Sequence, residues 1–167
     1  MRVFKLTLFY IVALLIVSGC QASFDKEQSE TKIAVEEAFK SNPKETNNKN
    51  NDIEFYLPFG YEIEDETPNN MIMKNGSKAY ILFYNQQEQQ NSKVVYTSTL
   101  KQKEFEVDET FEKDNRFGFM LIKKMENDLN ELTVGIGGVK ISAEVKTKNL
   151  ASEAAAMMDI VRSVKVK

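Results

Sequence analysis

The chain has 167 residues, 22 of them basic and 25 acidic, and it contains no histidine and one cysteine. These counts exclude Cys/His zinc sites, catalytic triads with a histidine base and any intrachain disulfide. The net charge of −3 argues against nucleic-acid binding, which needs a basic surface for the phosphates. The length fits one domain with a modest core.

The first 19 residues have the layout of an export signal. Arg2 and Lys5 precede an apolar run of 12 residues, 6–17, and small residues follow it. An apolar run of this length is usual for a signal peptide and short for a membrane-spanning helix. We predict a cleaved signal peptide over 1–19, with an uncleaved membrane anchor as the alternative.

The end of this segment indicates how the mature chain is held. Val17-Ser18-Gly19-Cys20 resembles the lipobox of bacterial lipoproteins, with Val17 in place of the commoner Leu. The resemblance implies a diacylglyceryl group on the Cys20 thiol, cleavage before Cys20, and a location on the extracytoplasmic face of the cell membrane. Two acyl chains suffice for stable anchoring. Without the two leader cations the net charge is −5, so the lipid rather than charge would hold the protein at the membrane.

Residues 20–51 are predicted to be a tether. A narrow apolar stripe favours a short helix within 31–40, which Pro43 would end. The segment 42–51 is rich in Asn and has no large apolar residue, as in a flexible linker. We interpret the helix as part of the spacer, and a partner-binding helix is the alternative.

Residues 52–167 have the pattern of a single α+β domain. Short runs of β-branched and aromatic residues alternate with turn residues, and Asn75-Gly76 is the strongest hairpin signal. The run 78–85 is apolar almost throughout, so we predict a central strand that is covered on both faces. The other predicted strands are 53–57, 61–63, 71–73, 93–100, 104–110, 117–122, 132–136 and 139–145.

The chain ends in a predicted amphipathic helix. Asn149 is a suitable N-cap, and an apolar stripe at helical spacing runs from Leu150 to Val164. The apolar side of this helix must be buried against the strands. The predicted fold is therefore α+β, with a curved antiparallel sheet of about six strands and the C-terminal helix packed on one face.

Two short motifs lie near the ends of this domain. Residues 57–61 read LPFGY and end the opening strand, and residues 160–164 read IVRSV and end the last helix. In these motifs and in its order of elements, the stretch 52–165 resembles the PsbP-like family of small α+β domains that recur in Gram-positive lipoproteins. The resemblance implies the fold, and it implies no common activity and no functional residue.

Four groups of residues are candidates for a functional site. They are the acidic run Glu62, Glu64, Asp65 and Glu66; the acidic strand face Glu104, Glu106 and Asp108; the aromatic set Tyr56, Tyr61, Tyr80, Phe83 and Tyr84; and the glycine-rich segment 135–138. The first group lacks the spacing of a calcium loop, and the second fits the solvated side of an edge strand. The third fits a core, and the fourth lacks the ending of a phosphate loop. We therefore predict no catalytic residue, no metal site and no cofactor.

The predicted function is that of a non-catalytic, monomeric lipoprotein that binds a protein or an envelope component beside the membrane. One alternative is a small-ligand carrier or sensor with a cavity between sheet and helix. The other is a hydrolase that relies on carboxylates or on Ser and Lys, against which the absence of histidine weighs. A large apolar cavity would favour the carrier, and a contiguous exposed patch would favour partner binding.

Overall fold

The computed structural model describes residues 23–167, and it contains three helices and ten strands in that range. The helices are α1 (Phe24–Lys40), α2 (Val94–Leu100) and α3 (Leu150–Ser163). The strands are β1 (Asn48–Lys49), β2 (Ile53–Phe55), β3 (Glu62–Thr67), β4 (Asn70–Asn75), β5 (Lys78–Tyr84), β6 (Val107–Lys113), β7 (Arg116–Lys124), β8 (Leu129–Ile136), β9 (Val139–Lys146) and β10 (Lys165–Val166). A short 3-10 helix, Thr147–Asn149, leads into α3.

Seven strands form one antiparallel sheet in the order β3-β4-β5-β9-β8-β7-β6, and a second, three-stranded sheet has the order β1-β2-β10. The predicted α+β class is confirmed, with a main sheet slightly larger than the expected six strands. The predicted hairpin is confirmed as well, since Asn75 pairs with Lys78 across the turn. Gly76 takes a φ of +61° in this turn, a conformation that glycine adopts without strain.

The main core lies between one face of the large sheet and the helices α1 and α3. Every second residue of β5 faces the helices. These residues, Tyr80, Leu82 and Tyr84, are almost fully buried. On α3, Met157 and Val161 are buried one turn apart, as the apolar stripe predicts. The prediction that the C-terminal helix packs on one face of the sheet is therefore confirmed.

Helix α1 is longer than the sequence predicts, and it belongs to the folded body. It begins at Phe24, and Thr31, Val35 and Phe39 are buried at intervals of four residues. This row packs against α3 and against β6 and β7. A stripe of this width looks too narrow to dock a helix, but it suffices here because α3 and the sheet enclose it from two sides. The helix is therefore not part of a free tether.

The Asn-rich segment after α1 is also attached to the fold, although its composition predicts a flexible linker. The side chain of Asn47 donates to the carbonyl of Leu57 at 2.9 Å and accepts from the N–H of Leu57 at 2.7 Å. The side-chain oxygen of Asn50 accepts from the N–H groups of Asp52 and Ile53, both at 2.9 Å. These asparagines act as turn residues that hold β1 against β2.

The strand predicted at 93–100 is wrong, because this segment forms helix α2. Its hydroxyl groups bond to the helix itself: Thr97 Oγ1 donates to the Lys93 carbonyl at 2.8 Å, and Thr99 Oγ1 donates to the Val95 carbonyl at 2.7 Å. Val95 and Thr99 are buried one turn apart. The packing of this buried face stabilises the helix, and it outweighs the preference of the β-branched residues for a strand.

Two further strand predictions need correction. Strand β5 is not covered on both faces, because Ala79 is exposed and Ile81 is 49% exposed. Strand β6 begins at Val107 rather than at Glu104, because the preceding Phe105 packs with α2 on the opposite face of the sheet. Both differences arise from α2, which covers one part of that face and leaves the rest open.

Candidate binding face

Helix α2 covers one part of the second face of the large sheet. It packs on Phe117, Phe119 and Leu121 of β7, and the Tyr96 ring lies 5.2 Å and 5.4 Å from the first two rings. Burial, together with hydrogen bonds of 3.0 Å to the Asp108 carboxylate, raises the pKa of Tyr96 to about 12. Seven helical residues extend only about 10 Å. The ends of β5, β8 and β9 beyond α2 therefore stay uncovered.

The uncovered part of this face forms an open groove of about 840 Å³. Ile81 of β5 lies within it, paired with Ser142 of β9 on one side and with Ile72 of β4 on the other. The hydroxyls of Ser142 and Thr133 are 2.8 Å apart and satisfy each other. The floor of the groove is therefore an apolar side chain beside a closed pair of hydroxyls, and Ile81 is available for contact.

Charged side chains border the groove. Lys103 Nζ and a carboxylate oxygen of Glu131 form an ion pair of 2.5 Å. Lys140 Nζ donates to Thr99 Oγ1 of α2 at 3.0 Å, and burial, followed by the charge of Lys103, lowers the pKa of Lys140. The charged residues that line the groove itself are Lys78, Glu131, Glu144, Lys146 and Lys148. An apolar strip bordered by both signs of charge has the makeup of a surface that binds a partner.

The groove opens at the end of the sheet where the chain enters the fold. Leu129, at the start of β8, lines the groove and also a smaller neighbouring depression that Ser23 and Phe24 line. Lys124 Nζ lies 3.8 Å from the centre of the Phe24 ring at the same place. We call this the entry end of the sheet. The opposite end, which carries the β6–β7 and β8–β9 turns, is the far end.

The acidic candidates lie apart from the groove. Glu62, Glu64, Asp65 and Glu66 are on β3, an edge strand, and Glu64 forms an ion pair with Lys74. Asp108 lies on the other edge strand, β6, as predicted, whereas Glu104 and Glu106 precede that strand. Within residues 23–167, no three Asp or Glu side chains are grouped so as to hold a metal ion.

Two of the five aromatic candidates, Tyr80 and Tyr84, are core residues, in line with the interpretation of this set as part of a core. The Tyr61 and Tyr80 rings are 4.9 Å apart, and the Tyr80 hydroxyl donates to Glu153 at 2.7 Å. Burial, followed by these two neighbours, raises the pKa of Tyr80, so this phenol acts only as a neutral donor. Tyr84 is buried as well. The half-buried members of the group are Tyr56, Tyr61 and Phe83.

The glycine-rich segment forms the turn between β8 and β9 at the far end. Gly137 has a φ of +56°, and a Cβ atom there would lie 2.3 Å from the Gln89 carbonyl oxygen. Glycine is therefore required for the backbone conformation and for the close approach of the loop after β5. The predicted strands on both sides of this segment are confirmed, whereas a phosphate loop lies between a strand and a helix.

The predicted lipid-attachment residue Cys20 and the cleavage motif Val17, Ser18 and Gly19 lie outside the described residues. The groove was not predicted from the sequence. The apolar run of β5 hides the fact that Ile81 and Ala79 face a partly open side, and nothing in the run itself gives the length of the covering helix. The signal lies in the segment 93–100, once it is identified as a helix of only seven residues.

None of the helices in residues 23–167 is long and apolar enough to cross a membrane. No family model matches the chain, and no curated protein matches it. Among solved structures, the solution structure of cyanobacterial PsbP (CyanoP) from Synechocystis sp. PCC 6803 is similar at 10% identity with a TM-score of 0.44. The match covers 69% of this chain and 86% of that one. The sheet order and the helix packing, rather than this match, define the fold.

Proposed function

We propose that the protein is a lipoprotein, anchored through Cys20 on the extracytoplasmic face of the cell membrane, whose domain binds a protein or an envelope component without catalysing a reaction. The observation that carries this proposal is the open groove around Ile81. This isoleucine is 49% exposed on a middle strand of the sheet, so a partner that buries it makes the free energy of binding more favourable. The charged rim then selects a partner of complementary pattern.

The short distance between the predicted lipid site and the fold supports a position beside the membrane. Three peptide steps separate Cys20 from Ser23, and an extended chain covers about 11 Å in three residues. Helix α1 begins at the next residue, Phe24, so its residues do not serve as spacer. The entry end, and with it the groove, is then held near the headgroups. Such confinement raises the effective concentration toward other membrane-bound partners.

The two alternatives have less support. A carrier of small apolar ligands needs an enclosed cavity, whereas the layer between sheet and helices is filled by side chains such as Leu82, Ile141 and Met158, each 0% exposed. A hydrolase needs a free acid or base. In the groove, the Glu131 carboxylate is already held in an ion pair with Lys103, so it is not a free group.

The test is site-specific photocrosslinking in cells that carry the full chain. A photoreactive residue replaces Ser77, which is exposed on the groove rim. We expect one defined adduct, identified by mass spectrometry, that disappears with Ile81→Asp because the partner would have to cover a charge. Ile33→Asp is the matched control, since Ile33 is 58% exposed on α1 outside the groove, and this change should leave the adduct intact.

Thermal unfolding should show that both variants fold, because each places a charge where the isoleucine is already exposed. The groove is not the binding surface if Ser77 gives no adduct, or if Ile33→Asp and Ile81→Asp reduce the adduct equally. The non-catalytic part of the proposal fails if the protein turns over cell-wall fragments and Glu131→Gln abolishes that turnover.

A further inference from the structure

The far end of the sheet carries a second groove, separate from the groove around Ile81. Its volume is about 600 Å³, and it forms where the loop after β5, the β6–β7 and β8–β9 turns and the end of α3 meet. Asn91, Asn115 and Gly138 contribute from the loops, and Arg162 and Lys165 from the end of α3 and β10. Side chains from distant parts of the sequence therefore converge on one surface.

Two arginines lie close together beside this groove. Arg116 is the first residue of β7, and Arg162 lies in the last turn of α3. Burial lowers the pKa of Arg162, and the charge of Arg116 lowers it further. Two like charges at low exposure are unfavourable unless a counter-charge compensates them. The pair therefore raises the question of what neutralises it.

One carboxylate, that of Asp114, lies near both arginines but forms an ion pair with Arg116 alone. Asp114 Oδ2 lies 3.1 Å from Arg116 Nη2. The negative charge of Asp114 also opposes part of the lowering of the Arg162 pKa. Arg116 is only 12% exposed and lies 5.7 Å from the centre of the Phe39 ring. Within residues 23–167, no ion pair joins Arg162 to a carboxylate, and the Nε atoms of both arginines are buried without a hydrogen-bond partner. Arg162 is thus the uncompensated charge of the pair.

The remaining side chains of the groove do not supply the missing counter-charge. Lys165 adds a further cation on the rim, and the acidic residues of the lining are Glu88 and Asp114. The Glu88 carboxylate already accepts a hydrogen bond from the Ser92 hydroxyl. The lining itself has two cations, Arg162 and Lys165, against the two carboxylates, and Asp114 is already paired with Arg116. In a chain whose net charge is −3, the far-end groove is therefore relatively rich in cations.

We propose that the far-end groove binds a phosphate group, with Arg162 as the main contact and Lys165 as a second cation. A guanidinium presents parallel N–H donors that match the oxygens of a phosphate, and the ligand supplies the charge that Asp114 alone does not. The phosphate is carried either by a diester, as in an anionic polymer, or by a monoester. This site lies at the opposite end of the sheet from the Ile81 groove, so either proposal can fail without the other.

The experiment is calorimetric titration of the full chain in detergent at constant ionic strength, which separates binding from general screening. The probes are inorganic phosphate, dimethyl phosphate and acetate. We expect saturable binding of a phosphate probe, weakened roughly ten- to hundredfold by Arg162→Gln. The Arg162→Lys variant should bind with intermediate strength, because lysine keeps the positive charge but lacks the parallel N–H donors of the guanidinium. Lys101→Gln, which removes an exposed cation outside both grooves, is the matched control and should bind like the wild type.

The outcomes separate cleanly. Preference for dimethyl phosphate supports a diester source, and preference for inorganic phosphate supports a monoester. Binding of acetate alone overturns the proposal, as does the absence of saturable binding or unchanged binding by Arg162→Gln. Thermal unfolding without a probe should show Arg162→Gln to be no less stable than the wild type, because it removes a charge that Arg116 repels. If that variant does not fold, Arg162→Lys and Lys165→Gln decide, and the proposal requires both to bind more weakly.

Discussion

The ring of Phe39 in α1 occupies the space directly above Gly118 of β7, where a Cβ atom would lie only 2.7 Å from Phe39 Cε2. The same ring lies 5.9 Å from the ring of Phe111 on the neighbouring strand β6. A glycine in the sheet thus makes room for an aromatic side chain of a helix distant in sequence. This contact fixes α1 against the sheet.

Replacing Phe39 with alanine should lower the free energy of unfolding by about 3–5 kcal/mol, since it leaves a cavity between α1 and the sheet. That loss is a large part of the about 5–15 kcal/mol typical of a domain. Ile33→Ala on the exposed side of α1 should change it by less than about 0.5 kcal/mol. Chemical denaturation measures both, and equal small effects would show that α1 is a loosely held spacer.

The Gly118→Ala substitution should destabilise the protein by about 1–3 kcal/mol, because the new methyl group displaces the Phe39 ring. In the Phe39→Ala background the same substitution should be nearly neutral, since the ring that it displaces is absent. A double-mutant cycle on the two residues measures this coupling. Additive effects would mean that Gly118 is required for another reason.

Asp159 should make stability depend on pH. Burial raises the pKa of this carboxyl, and the nearby Lys44, 3.7 Å away, opposes the shift. Since the folded state binds the proton more tightly than the unfolded state, the contribution of Asp159 is most favourable below its unfolded pKa. It is lost as the pH rises through the folded pKa. Asp159→Asn should therefore raise the denaturant midpoint at pH 7.

The gain from Asp159→Asn should shrink as the pH falls through the folded pKa of Asp159, because the wild-type carboxyl then becomes protonated as well. Glu45→Gln, which removes an exposed acid in the same part of the chain, is the control for the loss of one negative surface charge. A lower midpoint for Asp159→Asn at neutral pH would mean that the ion pair with Lys44 outweighs the effect of burial.

The proposed lipid anchor gives a prediction that is independent of the fold. Intact-mass analysis of the protein from its native membrane should find Cys20 as the first residue, carrying a diacylglyceryl group. Cys20→Ala should abolish the lipid and leave the protein uncleaved or released, because acyl chains supply the membrane affinity of an otherwise acidic domain. Ser23→Ala, just downstream, should leave processing unchanged. A mature N-terminus at another residue would contradict the lipobox interpretation.

The sequence predicts those elements whose burial is decided by one regular pattern. The C-terminal helix has a continuous apolar stripe from Leu150 onward, and the Asn75-Gly76 turn has a specific backbone requirement. Helix α2 could not be predicted in this way, because its Val and Thr residues favour strands and only contact with β7 selects the helix. The docking of α1 depends on the cleft between α3 and the sheet, which exists only after both have formed.

The candidate sites were less predictable than the fold. The groove around Ile81 exists because α2 is short. The sequence of β5 itself does not indicate that one of its faces is left uncovered. Arg116 and Arg162 lie on a strand and a helix that the sequence does not connect, and their proximity follows from the topology. Motif searches look for neighbours along the chain. These surfaces are built from residues that are neighbours only in space.

The direction of α1 has a mechanical consequence. The helix starts beside Leu129 at the entry end and finishes at the far end, where the Lys40 carbonyl accepts a hydrogen bond from Lys113. A pull on the N-terminal end of α1, directed away from the far end, would act along the axis of the helix. Its buried row, including Val35 and Phe39, would have to slide out together rather than peel away one turn at a time. Under load, the time for which α1 stays docked on the sheet is then set by the unfolding rate of the domain.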